Sequence, residues 1–203
     1  MDALTQAQLN QFREHMAAYV EFNEAEWIIC TQHLSVQKLK KKQHFAEAGQ
    51  VCETLGFVLS GSVRYYHVID GNEITNYFSF ENDYVSSYKS FLTGERGNNY
   101  IQALEPTTIL TVSKKDWQLM LNNPMLAYKM ERFGRLLAEH YLICYDDRVT
   151  SFITQTPEER YLKLLQTGRE VLQRMRQHYI ANFLGITPVS LSRIRKRILV
   201  EHK

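Results

Sequence analysis

The sequence predicts an α+β chain: an N-terminal β-roll of jelly-roll type with flanking helices, then a long helix, then an all-α unit built around a helix-turn-helix. Three observations carry this. Short apolar and aromatic runs separated by turn residues fill the stretch from Phe45 to Val112, as in a barrel or sandwich. From Pro124 to about Phe152, apolar residues recur every three or four positions, the period of one helix face. Near the end, Gly185 and the pair Thr187-Pro188 punctuate two short amphipathic segments. The expected boundaries are 1–123 for the roll and its helices, 124–155 for the long helix and 156–203 for the C-terminal unit.

Taken in order, Leu9, Phe12 and Met16 share one helix face, and Asn23 with Glu26 forms a capping box ahead of Trp27, so two helices are expected before about residue 35. The run from Lys38 to Lys42 reads as the solvated side of an early strand rather than a polyanion contact. Runs such as Phe57–Leu59, Val63–Val68 and Ile74–Phe78 read as strands, and Asp70-Gly71 between two of them as a tight hairpin turn, which needs positive φ. Such a roll can enclose a small ligand. Trp117, Met120 and Leu121 mark a short helix that ends before Pro124. The long helix follows, with Met130, Phe133, Leu137, Tyr141 and Cys144 on one stripe. That stripe either packs on the roll or pairs with a second copy of itself, and its length favours the copy. Thr156, Pro157 and Glu159 then start a helix that ends near Gly168.

In the C-terminal unit, Ile180, Ala181 and Leu184 share one face of a first helix that Gly185 stops. Thr187 and Pro188 start the second helix, whose buried stripe is Leu191, Ile194 and Ile198. Val189, Ser190, Ser192, Arg193, Arg195, Lys196 and Arg197 then face outward, the set a helix in the major groove presents to bases and phosphates. Double-stranded DNA is the expected partner.

Charge points the same way. The chain of 203 residues has a net charge of only +2, yet from Pro157 onward ten Lys and Arg face four Glu, against fourteen and eighteen in the remainder. Cys30, Cys52 and Cys144 are scattered and odd in number, and without a C-x-x-C pair neither a disulfide framework nor a metal site is expected. Met1 to Val20 is polar and amphipathic, so no membrane span is expected and the cytoplasm is the expected location. Seven dispersed histidines, with no H-x-H pair, nucleophile elbow, P-loop or paired carboxylates, give an enzyme reading no support. His44 and His67 read as structural. The rival to DNA binding is a ligand-sensing or interaction module with a degenerate helix-turn-helix, and the intact basic face argues against it.

The order helices, β-roll, long helix, helix-turn-helix resembles the Crp-Fnr family of bacterial transcription regulators over nearly the whole chain. The residues that carry the resemblance are Gly61-Ser62-Val63, Asp70-Gly71, Asn82-Asp83-Tyr84 and the segment from Gly185 to Arg197. Short members of the kind found in Bacteroidetes are similar in Pro157–Leu162 and in Tyr179–Arg197. The resemblance implies a cyclic-nucleotide-binding-like domain, a homodimer formed through the long helix, and paired reading helices on a pseudo-palindromic operator. RNA polymerase is a further implied partner.

Two departures qualify what the resemblance implies. Relatives that bind cyclic AMP carry Gly-Glu and, about ten residues later, Arg-Ser in the phosphate cassette; an overlay puts Ser86-Ser87 and Gly97-Asn98 there. Without that arginine a buried phosphate lacks its charge-assisted fork, so cyclic AMP is not the expected effector. Ser86, Ser87, Tyr88, Arg96, Asn98, Asn99 and Tyr100 are the candidate liners for another small effector, or form a collapsed, ligand-free loop. Relatives also carry a β-hairpin wing where this chain has Arg169–Arg176, too short and without turn residues. Phosphate anchoring then falls to Arg169, Arg174 and Arg176. Ser190 and Arg193 are the expected base readers, with Val189 against a thymine methyl and Thr187 beside them.

Overall fold

The protein, described here by a computed structural model over residues 4–201, begins with two capped helices. α1 (Gln6–Met16) starts at Thr5, whose hydroxyl accepts from the Gln8 amide, and α2 (Glu24–Thr31) starts at the expected Asn23–Glu26 capping box. Eight strands follow: β1 (Ser35–Leu39), β2 (His44–Ala46), β3 (Thr54–Ser60), β4 (Val63–Ile69), β5 (Asn72–Ser79), β6 (Tyr84–Val85), β7 (Tyr100–Ala103) and β8 (Thr107–Ser113). They form two four-stranded sheets, ordered β1-β8-β3-β6 and β2-β7-β4-β5. Asp70 and Gly71 take φ of 51° and 75°, the turn expected between β4 and β5.

The β1-β8-β3-β6 sheet sorts its side chains by alternation. Gly56, Val58 and Ile109 face the roll interior, where a Cβ on Gly56 would lie 2.5 Å from Ile109, 2.8 Å from Val85 and 3.3 Å from Phe45. Leu55, Phe57, Leu110 and Val112 face the helices instead. Lys40 to Lys42, expected to extend the first strand, lie in the turn after it, with Lys42 at φ 72°. A helix that the sequence reading leaves as loop, α3 (Tyr88–Thr93), follows β6.

α4 (Lys114–Asn122) ends before Pro124 as expected, and α5 (Ala127–Thr154) is the long helix. α6 (Pro157–Thr167) has Thr156 as cap, Pro157 in its first turn and Glu159 completing the box. It stops at Gly168, which adopts φ −107° rather than the left-handed conformation. α7 (Arg169–Arg174) occupies the segment that the sequence marks as too short for a β-hairpin wing. α8 (Gln177–Phe183) and α9 (Pro188–Glu201) close the described chain.

The chain divides into two compact units. The first holds residues up to Tyr65 and from Phe78 to His140, and the second holds the hairpin residues Tyr66–Tyr77 together with Tyr141 onward. In the second, the core is Tyr161, Leu164, Met175, Ile180, Ala181, Leu184, Leu191, Ile194 and Ile198, all buried. No helix among the described residues is long and apolar enough to cross a membrane.

Candidate nucleic-acid interface

α8 and α9 meet at a tight turn. The Ile186 amide donates to the Ala181 carbonyl at 3.0 Å and the Gly185 amide to Asn182 at 2.8 Å, satisfying carbonyls that the end of α8 leaves orphaned. Gly185 takes φ 70°, and a Cβ there would lie 2.6 Å from the Phe152 ring, so glycine is required by conformation and by space together. Ala181 is fully buried where the two helices cross, as its size predicts. The Thr187 hydroxyl accepts from the Ser190 amide at 3.1 Å and starts α9.

The outward face is narrower than expected. Thr187, Val189, Ser192, Arg193 and Lys196 are exposed, Val189 at 60%. Ser190 is half-buried, its hydroxyl 3.0 Å from that of Thr187. Arg195 is not an outward cation: its Nε donates to the Tyr161 hydroxyl at 3.0 Å and its guanidinium lies 5.5 Å from that ring. Position 195 falls four residues after Leu191 and three before Ile198, which puts it on the inner edge of the stripe. Arg197 is exposed but paired, with Nη2 2.5 Å from Glu158. Arg169, Arg174 and Arg176 are exposed on and beside α7.

The stripe assigned to a dimer interface divides. Met130, Phe133 and Leu137 are 2%, 2% and 0% exposed within the single chain, and the Phe133 ring lies 5.3 to 5.8 Å from those of Tyr84, Tyr19 and Trp117. They are core of the first unit and are corrected as interface residues. Tyr141 and Cys144 are half-buried. Among the apolar residues α5 exposes, Leu142, Tyr145, Val149 and Ile153, at 70, 64, 54 and 78%, share another face; Tyr128, Ile143 and Phe152 are exposed as well, at 76, 62 and 41%.

At the cassette, Ser86 and Ser87 are buried, with the Ser86 hydroxyl donating to the Thr54 carbonyl at 2.9 Å and that of Ser87 to Asn99 Oδ1 at 2.7 Å. The Gly97 amide donates to the Gln50 carbonyl, and the Gly49 amide to that of Gly97. Tyr88 opens α3 with its ring stacked on Phe91, and burial raises its phenol pKa. Tyr100 lies 5.6 Å from the His44 ring. The fold thus brings Ser87 and Asn99 together, while Arg96 and Asn98 stay exposed. A cavity of about 30 Å³ lies elsewhere, on the helix side of the β3-β8 sheet among Met16, Cys30, Phe57, Trp117 and Phe133. It is apolar and too small for an organic effector. Among the described residues no cluster of three or more His, Cys, Asp or Glu could hold a metal.

Two groups escaped the sequence reading. Arg64 on β4 is 2% exposed, with Nε and Nη2 on Gln102 Oε1 at 3.1 and 2.8 Å; a charged residue in an alternating strand reads as solvent-facing. Gln102 Nε2 lies 3.2 Å from His44 Nε2. Around the turn, Arg148 and Arg160 both stand over the Phe152 ring, at 4.9 and 4.6 Å from its centroid. The only sequence signal is their spacing from Phe152, which says nothing about the partner.

Compared with known proteins, residues 36–123 match the cyclic nucleotide-binding domain family. No curated protein matches the chain in sequence. Among solved structures, a Eubacterium rectale protein assigned to the crp/fnr family of transcriptional regulators is 19% identical, covering 89% of this chain and 85% of its own, with a TM-score of 0.67. The c-di-GMP-responsive global regulator CLP of Xanthomonas campestris is 13% identical, with coverage of 89% and 93% and a TM-score of 0.68. A CooA variant from Carboxydothermus hydrogenoformans is 19% identical, with coverage of 98% and 87% and a TM-score of 0.64. At these identities the likeness establishes the fold alone: a cyclic-nucleotide-binding roll, a long helix and a helical C-terminal unit.

Proposed function

We propose that this chain is a sequence-specific DNA-binding transcriptional regulator of the Crp-Fnr type, acting as a homodimer on a pseudo-palindromic operator. The observation that carries the reading is the exposed face of α9, where Val189, Ser192, Arg193 and Lys196 stand out while Leu191, Ile194 and Ile198 are buried. Arg193 is the base reader, suited to the two acceptors of a guanine edge, and Val189 meets a thymine methyl. Ser190 and Thr187 contribute at the helix start, and Lys196, Arg169, Arg174 and Arg176 contact phosphates. Leu142, Tyr145, Val149 and Ile153, at spacings of three and four, supply the dimer seam along α5. RNA polymerase and the cytoplasm are the partner and place that such a regulator needs.

The effector, in this reading, is a small molecule other than cyclic AMP. Ser86 and Ser87 already spend their hydroxyls on Thr54 and Asn99, and Arg96 is exposed. A buried cyclic phosphate would find no guanidinium fork at those positions. The match to the cyclic nucleotide-binding domain and the c-di-GMP response of the Xanthomonas regulator keep nucleotides as the first class to screen.

The test is selection from a random duplex library across salt concentrations, with and without cyclic AMP. An enriched inverted repeat with half-sites about 34 Å apart is expected. Salt-labile binding with no enriched sequence would overturn the reading, and tightening by cyclic AMP would overturn the effector assignment.

A further inference from the structure

We propose that Arg148, Phe152 and Arg160 are positioning residues for DNA recognition: together they seat the turn between α8 and α9 and so fix the angle at which α9 is presented. The inference rests on reading α9 as the DNA-facing helix. Phe152, 41% exposed, lies against the turn, close enough that a Cβ on Gly185 would come within 2.6 Å of its ring. A guanidinium from α5 and another from α6 stand over that ring.

Both arginines then reach the same helix end. Arg148 Nη2 donates to the Phe183 carbonyl at 2.9 Å, and its guanidinium also stands 4.3 Å from the Phe183 ring. Arg160 donates from Nε and Nη2 to the Leu184 carbonyl at 3.2 and 3.0 Å, and from Nη1 to the Gln155 carbonyl at 2.6 Å. The Phe183 and Leu184 carbonyls are the last of α8, where the helix dipole favours cations, while the Gln155 carbonyl ties Arg160 to the link between α5 and α6. Crowding two like charges on one ring is a poor way to gain stability. It is a good way to gain orientation, because each planar fork can donate to its carbonyls along few directions.

The test uses Arg160→Lys, which keeps the charge and loses the fork, and Phe152→Leu, which keeps apolar bulk and loses the ring face. Both variants are expected to keep the wild-type circular dichroism spectrum and dimer mass. Each should bind a single half-site within about twofold of wild type, yet lose about tenfold on the selected inverted repeat. Each should also cease to distinguish that repeat from ones lengthened or shortened by a base pair, and Phe152→Tyr should restore the discrimination. Equal losses on half-site and repeat, or an intact spacing preference, would overturn the assignment. If Phe152→Leu fails to fold, Arg160→Lys decides alone. A second readout stands apart from DNA: the distance distribution between spin labels at Thr150 and Ser192, in a Cys144→Ser background, should broaden in both variants. An unchanged width would overturn the proposal even where the wild-type protein selects an operator. Failure of the wild type to select one would instead count against the regulator reading.

Discussion

The Nε of Arg195 lies 3.0 Å from the Tyr161 hydroxyl, with the guanidinium 5.5 Å from the ring centroid, so α9 is tied to α6 by one of its own cations. A basic helix therefore does not turn every basic residue outward. Arg193 and Lys196, on the exposed face, are separated in role from a neighbour of the same charge.

Arg195→Ala is accordingly expected to lower stability, by about 1–2 kcal/mol from a lost part-buried hydrogen bond and cation–π contact, while leaving the salt dependence of binding intact. Arg193→Ala should leave melting unchanged and relax discrimination at one base pair by about 1–3 kcal/mol. Lys196→Ala should weaken all sequences alike and reduce the salt slope by about one. Thermal melts paired with binding isotherms at several salt concentrations read all three. A flattened salt slope with normal melting in Arg195→Ala would reverse the assignment.

The two stripes of α5 make opposite predictions. Leu137→Glu puts a carboxylate where the side chain is fully enclosed by its own chain, so the variant should fail to fold rather than yield a folded monomer. Val149→Glu and Tyr145→Glu, on the exposed stripe, should keep the helical spectrum and sediment as monomers with weaker operator binding. A folded monomer from Leu137→Glu, or an unaltered dimer from Val149→Glu, would contradict this division.

That division also marks where the sequence stopped being legible. Periodicity located α5 and grouped Met130, Phe133, Leu137, Tyr141 and Cys144 on one face, but period reports a shared face and not what covers it. Local chemistry was read well because its causes are local: the Asn23–Glu26 and Thr156–Glu159 boxes, the Asp70-Gly71 turn and the stop at Gly185 each depend on residues within a few positions. Arg64, Arg148 and Arg160 were invisible for the converse reason. Their partners lie 38, 35 and 24 residues away, and nothing in a single sequence pairs a cation with a distant carbonyl or amide.

Gly185 gives a prediction with two separable parts. Alanine at φ 70° costs about 1–2 kcal/mol in any surroundings, and here its Cβ also meets the Phe152 ring. Gly185→Ala should therefore destabilise the protein by more than the conformational cost. In a Phe152→Ala background the same substitution should cost the conformational part only, a coupling that urea unfolding of the four proteins would measure. Additive losses would mean that the ring gives way at no cost.

Acid sensitivity should begin at the junction of α2 and α5. Lys129 donates to Glu26, and the Asn23 amide adds a second hydrogen bond, holding the carboxyl below its usual 4.5. Asp116 is likewise held below 3.8 by hydrogen bonds from Ser113 first and His33 second. A carboxyl depressed in the folded state contributes stability that is fully present above its unfolded value and is lost as pH falls through the folded one, because the unfolded chain then binds more protons. Stability should thus decline as pH drops below about 4.5 and keep falling until both folded values are passed. Glu26→Gln should lower stability at neutral pH and make the acid limb shallower. Urea midpoints from pH 7 down to 3 provide the check, and a Glu26→Gln profile parallel to wild type through the acid range would remove this carboxylate from the account.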